Sequence, residues 1–331
     1  MLGIGRYEGI SRATPPPTNP MSEKKFRLVT RSDFDGLVCA VLLKELDLID
    51  EIKFVHPKDM QDGKVTISDR DITTNLPYVA GAHLVFDHHS SETVRSGGLR
   101  AANHVIDDHA PSAARVVFDH YGGSNAFPRI APDMMAAVDK ADSAQFSRDE
   151  ILDPKGWVLL NYLMDARTGL GRFREFRISN YALMMDLIDY CATHGINDIL
   201  GLADVKERIE LYFEHADKAR QQIMRCSTQH GNLVVLDLRN EETIWAANRF
   251  MIYALFPSAN ISIHVLWGVQ KSNTVLATGK SILDRSSRTN VGELMLTFGG
   301  GGHAAAGTCQ IANDDASQVL AELIRSINAD G

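Results

Sequence analysis

The sequence predicts an α/β protein of two unequal domains, and three observations carry that prediction. From Phe26 onward, short β-type runs alternate with helical stretches, the pattern of a parallel sheet flanked by helices. A long charged helical segment then interrupts the alternation. A second, shorter α/β pattern follows it. In the first domain the expected strands are FRLVT, EIKFVH, KVTIS and HLVF, with LVCAVLLKELDLI as the helix after the first of them. Helices are expected next in PSAARVVFDHYGG, between Pro111 and Gly122, and in APDMMAAVDKAD, WVLLNYLMDA and SNYALMMDLIDYCATHG. The second domain offers GNLVVLDLR, ISIHVLWGV, TVLATGKSI and TCQI as strands, and RFMIYALFP, VGELMLTF and ASQVLAELIRSI as helices. These readings divide the chain into a flexible tail at 1–24, a first domain at 25–195, a helical connector at 196–229 and a smaller α/β domain at 230–331.

Composition narrows the function. With 331 residues, 44% of them hydrophobic and 23% charged, the chain has enough apolar material for sizeable cores. A formal net charge of −8 argues against clamping long duplex nucleic acid, which needs a concentrated basic surface, but leaves room for a short oligonucleotide in one pocket. Cys39, Cys191, Cys226 and Cys309 form no CxxC pair and read as reduced thiols of a cytoplasmic protein. No apolar stretch reaches the 18 or so residues of a membrane span, and the first residues lack the order of a signal peptide. A cytoplasmic protein without membrane contact is expected, with a homodimer left open.

In parallel sheets flanked by helices, ligands sit at the carboxyl ends of the strands. The residues after FRLVT, KVTIS and HLVF should therefore share one crevice, and they include Asp33, Asp35, Asp69, Asp71, Asp87 and His88. In RSDFDG, Asp33 and Asp35 are too close to coexist without a compensating positive charge. Asp35 has a second reading as the cap of the helix at Leu37. Carboxylates with one imidazole suit Mn²⁺ or Mg²⁺ better than Zn²⁺. VDKADSAQF adds Asp139 and Asp142, so the inventory can hold one or two ions, which would polarise a phosphate and activate water. In the second domain, Gly299, Gly300, Gly301 and Gly302 allow the backbone to approach an anion, with His303 as a further donor; no Walker lysine follows. Arg285 and Arg288 carry planar forks that match phosphate.

RSDFDG, FDHH, VDKADSAQF and FGGGGHAAAG, in this order, resemble the DHH phosphoesterase superfamily, in which an N-terminal DHH domain precedes a C-terminal DHHA1 domain. The resemblance spans nearly the whole chain after residue 25. Within the superfamily the chain is similar to exopolyphosphatase-related proteins and to the oligoribonuclease and pAp-phosphatase branch. The resemblance implies Asp33 and Asp35 as ligands of two different metals, Asp69 or Asp71 as the bridge, and His88 and Asp142 as completing the second site. It further implies that His89 contacts the scissile phosphate, that Asp87 orients a neighbouring imidazole, and that His303 and the glycine run hold substrate. One departure stands out: Arg31 replaces the family's first histidine, and a guanidinium has no lone pair for a metal. Either the first site is weakened, or Arg31 supplies its charge as a catalytic group, or His56 fills the gap. The sequence thus predicts a Mn²⁺-dependent phosphohydrolase with its substrate between the domains. Polyphosphate, pAp and short oligonucleotides are the candidate substrates, and the lack of an aromatic-rich stretch favours polyphosphate. The contrasting reading is a phosphate-ligand binding protein that has lost turnover through Arg31.

Overall fold

The computed structural model describes residues 25–89, 101–173 and 175–331; the tail read at 1–24 and the serines after His89 lie outside the described residues. Strands β1 (Phe26–Arg31), β2 (Ile49–Val55), β3 (Asp71–Thr74), β4 (Leu84–Asp87) and β5 (His104–Ile106) form an all-parallel sheet in the order β2-β1-β3-β4-β5. The strand order turns between β1 and β3. A crevice opens at such a turn, beyond the carboxyl ends of the two strands.

Helix α1 (Phe34–Glu45) starts directly on the end of β1. Every residue from Phe34 to Leu43 is buried, because the helix is apolar on all sides and is covered by the sheet and by helices at 113–120, 132–142 and 180–193. Its entry is so tight that a Cβ on Gly36 would lie 2.0 Å from the Arg31 carbonyl oxygen. Only glycine fits there.

A second, mixed sheet has the order β10-β11-β9-β8-β7-β6, built from β6 (Ser227–His230), β7 (Leu233–Asp237), β8 (Ile261–Trp267), β9 (Thr274–Lys280), β10 (Gly301–His303) and β11 (Ala306–Ile311). The helix at 203–226 runs straight into β6, so residues 227–229, read from sequence as connector, belong to this sheet. Strand β7 joins the two halves through its alternation. Leu233 and Val235 enter the core under the second sheet, with Leu323 and Ile327, whereas Val234 and Leu236 enter the large core that begins at Leu28.

One strand is displaced from its expected place. KVTIS is irregular, and Val65 and Ile67 instead pack on a small cluster of Val29, Met60 and Leu76. The strand is DITT, β3, whose β-branched residues pair with β1 in the register Arg27 with Asp71 and Thr30 with Thr74. Asp71 therefore sits at the amino end of its strand. There it accepts hydrogen bonds from Arg27 Nε at 2.6 Å and from the Ser68 amide at 2.7 Å.

Burial opposes ionisation of Asp71, but Arg27 and Ser68 outweigh it and hold its pKa below the usual carboxylate value. A depressed pKa in the folded state means stability that is present at neutral pH and lost as the pH falls through that lowered value. Asp71→Asn should cost about 2 kcal/mol at pH 7, the size of a charge-assisted pair. In urea titrations at stepped pH, the gap between variant and wild type should close below about pH 4; a gap independent of pH would refute the ion pair.

Candidate metal centre and substrate cleft

The first acid after β1 is the helix cap. Asp33 Oδ1 accepts the Gly36 amide at 3.0 Å, its Oδ2 lies 2.9 Å from Arg31 Nε, and Asn75 Nδ2 donates to Oδ1 at 3.2 Å. The capping role considered for Asp35 thus belongs to Asp33. Asp35 instead lies buried in the first turn of α1, where its two oxygens accept the Ala113 and Ala114 amides at 3.0 and 2.8 Å. Those are the first amides of the helix at 113–120, α3 once α2 (Pro57–Gln61) is counted. A carboxylate there meets the positive end of a helix.

His88 follows β4. Its Nδ1 lies 3.2 Å from the Ala110 carbonyl oxygen, which can only accept, so the proton is on Nδ1 and Nε2 faces the acids. Asp142, the last residue of helix α4 (Pro132–Asp142), brings Oδ2 to 2.8 Å from that Nε2. One ligand atom each from Asp35, His88 and Asp142 lies within 4.8 Å of the other two. The sequence elements that place them are far apart, yet all end at the carboxyl edge of the first sheet.

Burial and mutual repulsion shape the electrostatics of this cluster. Burial, followed by Asp142, pushes the Asp35 carboxyl well above its usual range, and burial likewise raises Asp33 despite Arg31 beside it. Burial works against charge on His88 as well, but Asp142 and Asp35 prevail and raise its pKa to about 9. Asp142 is burdened by burial too and is nonetheless held low by His88. His88 Nε2 is buried and makes no aligned hydrogen bond even though Asp142 is so near. An imidazole nitrogen and two carboxylates that lie within 4.8 Å of one another could hold a Mn²⁺ or Mg²⁺ ion.

A second layer is cationic. Arg167 donates to Asp165 through Nε at 2.7 Å, and Arg249 Nε lies 3.8 Å from the same carboxylate. Burial, followed by Arg167, brings Arg249 down to about 10. With Arg31, these arginines line or adjoin the cleft that contains Asp33, Asp35 and Asp142. Across the interdomain gap, partial burial and then the nearby His89 and Arg249 lower the pKa of His303. His303 Nδ1 accepts the Ala305 amide at 3.2 Å, which leaves its proton on Nε2. His89 is held by Asp87, whose Oδ1 lies 2.7 Å from His89 Nδ1 and also accepts the His88 and His89 amides.

The second half of the glycine run, Gly301 and Gly302, opens strand β10, and Gly299 and Gly300 form the turn before it. A Cβ on Gly300 or Gly302 would lie 2.2 Å from a β11 carbonyl oxygen, whereas one on Gly301 would meet nothing within 4 Å. Gly301 therefore presents bare backbone to open space beside His303.

Six residues singled out in the sequence lie away from the cluster, and one of them, Asp139, accepts hydrogen bonds from Ser112 Oγ at 2.8 Å and Arg115 Nε at 3.0 Å. Asp69 is exposed, and Asp71 faces Arg27 at the other end of β1, about 13 Å away by the strand rise. Arg285 donates across the domain gap to the carbonyls of Ser143 and Ala144, at 3.4 and 3.2 Å, and so acts as a tie between domains. Arg288 Nε donates to the Asp330 carbonyl at 2.6 Å on the last helix. His56 Nδ1 accepts the Lys58 amide as the cap of α2. Conversely, sequence reasoning missed Asn75, Arg167, Arg249 and Asp165. Asn75 stands at the exit of β3 with φ of 55°; an asparagine after a β-branched run is a recognisable left-handed exit from a strand. It offers an amide in place of a carboxylate.

No family model matches the sequence, and no curated protein does. Among solved structures, the pGpG-specific phosphodiesterase PggH from Vibrio cholerae is 66% identical, over 93% of this chain and 100% of that one, with a TM-score of 0.81. The chain belongs to the DHH/DHHA1 phosphoesterase superfamily. RecJ from Thermus thermophilus, in complex with Mn²⁺, is 12% identical with a TM-score of 0.52, over 92% of this chain and 52% of that one, and shows likeness of fold. The architecture is that of a DHH domain followed by a DHHA1 domain.

With Arg31 and Asn75 at the first site, calorimetric titration should find one Mn²⁺ per chain. Asp142→Asn should weaken it by more than about 100-fold, beyond what loss of a supporting hydrogen bond produces, while Asp71→Asn leaves it unchanged. A second ion in the wild type, or loss on Asp71→Asn, would overturn this assignment.

Proposed function

We propose that this chain is a metal-dependent phosphodiesterase that hydrolyses pGpG or a closely similar linear dinucleotide to mononucleotides. The observation that carries the reading is the 66% identity, over the full length of the relative, to a phosphodiesterase specific for pGpG. The acid and imidazole cluster supports it chemically. Asp35, His88 and Asp142 would hold a Mn²⁺ or Mg²⁺ ion, which when bound supplies Lewis acidity at the phosphate and a lowered pKa for the attacking water. Water adds to the bridging phosphorus, the 3′-oxygen departs and takes a proton, and two GMP result.

The chain's own residues do the remaining work. Asp87 fixes the ring of His89, whose Nε2 is the atom left for the phosphate. Arg31, Arg167 and Arg249 supply positive charge on the other side, in a cleft where carboxylates would otherwise repel the substrate. His303 and the bare backbone at Gly301 suit the terminal phosphate. In this reading Arg31 contributes its charge where the family places a metal-binding histidine. The preference for polyphosphate suggested by the scarcity of aromatic residues gains no support from the relatives.

The test is a substrate screen with Mn²⁺ on pGpG, pAp, polyphosphate and a cyclic dinucleotide, read by chromatography. Release of GMP from pGpG should be at least tenfold faster than any other turnover. Faster cleavage of polyphosphate would replace this reading, and binding of pGpG without turnover would make the chain a phosphate-ligand binding protein. Gly301→Ala should leave the melting temperature unchanged or slightly raised, since the new methyl meets nothing and restricts the unfolded chain. The same variant should raise the KM for pGpG several-fold; an unchanged KM would remove Gly301 from the substrate site.

A further inference from the structure

Beside the cluster lies a cavity of about 520 Å³ that none of the roles above occupies. Asp33, Asp165 and Arg167 form the wall it shares with the cleft at Asp35 and Asp142. Its interior is apolar, with Leu160, Leu163, Met164, Leu183, Met184 and Leu187 among the lining side chains. A volume of this size suits a nucleoside, well above what a lone phosphate needs, and an apolar interior behind charged groups is the general form of a small-molecule site.

Two polar groups on its lining have fixed hydrogen-bonding character. The buried Arg208 donates to Asn180 Oδ1 through Nε at 3.1 Å and through Nη2 at 3.0 Å. That settles which end of the amide is oxygen, so the end of Asn180 that Arg208 leaves unused is Nδ2, a donor, and Asn180 is among the residues that line the cavity. His56 also lines the cavity, and its Nδ1 already accepts the Lys58 amide, which leaves Nε2–H as a second donor. Both residues are exposed, so they form the rim rather than the floor.

We propose that this cavity is a guanine subsite that seats the base of a nucleotide whose phosphate lies at the cluster. Two donors match the N7 and O6 acceptors on the outer edge of guanine, whereas adenine shows one acceptor and one donor there. The apolar side chains cover the faces of the ring. Arg31 and Arg167, on the wall toward the cluster, lie where the base and its phosphate are joined. The assignment rests on the nucleotide reading given above and adds to it the location and the identity of the base.

The test measures binding of GMP, AMP and inorganic phosphate to the full-length chain with Mn²⁺ by calorimetry, which needs no turnover. Wild type should bind GMP at least tenfold more tightly than AMP. Asn180→Asp keeps the oxygen that Arg208 requires and replaces the donor by an acceptor, so it should cut GMP affinity at least tenfold and narrow or reverse the preference. Met184→Trp should fill the cavity and weaken GMP without changing Mn²⁺ stoichiometry or phosphate binding, with a melting curve to establish that it folds. If pGpG is not hydrolysed but GMP binding still depends on Asn180, the phosphodiesterase reading falls and the subsite stands. Equal affinity for GMP and AMP, or a GMP affinity that Asn180→Asp leaves unchanged, would overturn the subsite even with pGpG turnover intact.

Discussion

The structure hangs on the Asp35 carboxylate. It rises from the first turn of α1, is fully enclosed, and is held by the first two amides of α3. Two helices from separate parts of the chain are thereby pinned end to end at the carboxyl edge of one sheet. The arrangement brings unfavourable charge with it, since Asp33 and Asp142 are close enough to raise the Asp35 pKa along with burial. Helix amides compensate one acid only in part. Asp35, His88 and Asp142 there form a group that could hold a divalent cation.

The same edge explains how residues distant in sequence serve one site. The crevice lies where the strand order turns, so β1 contributes Arg31 and Asp33, β3 contributes Asn75 and β4 contributes Asp87, His88 and His89. Strand β7 then divides its side chains between the two cores, and Arg285 ties the second domain to the carbonyls immediately after Asp142. The interdomain contact is thus made beside Asp142 of the cluster. His303 is near enough to His89 for the two charges to oppose each other.

Much of this was legible in the sequence where the signal was local. The alternation of strands and helices carried the architecture, and RSDFDG, FDHH and VDKAD contain the three residues that cluster, Asp35, His88 and Asp142. What failed was register. KVTIS and DITT are both β-type runs, and only tertiary packing decides that Val65 and Ile67 cover Val29 while DITT enters the sheet. Choosing the wrong run moved the strand exit, so Asp69 and Asp71 seemed to face the crevice and Asn75 went unnoticed. The partners of Arg285 and Arg288 are not legible in the sequence for a related reason: a guanidinium suits a carbonyl as well as a phosphate, and no pattern tells which it meets. Arg167 and Arg249 carry no motif at all. They reach the site only because the chain returns there after long helical excursions.

In the proposed reading, charge and shape together would favour a nucleotide over a bare phosphate chain. Arg31 and Asn75 set a guanidinium and an amide, groups that do not bind cations well, against Asp33. A polyphosphate would profit from that charge but would leave the adjoining apolar cavity filled with water. A nucleotide uses both, its phosphate among the arginines and its base against the leucines and methionines. Water in an apolar cavity lacks hydrogen-bond partners and is released on binding, so the apolar lining adds affinity only for a ligand that carries a ring to fill it.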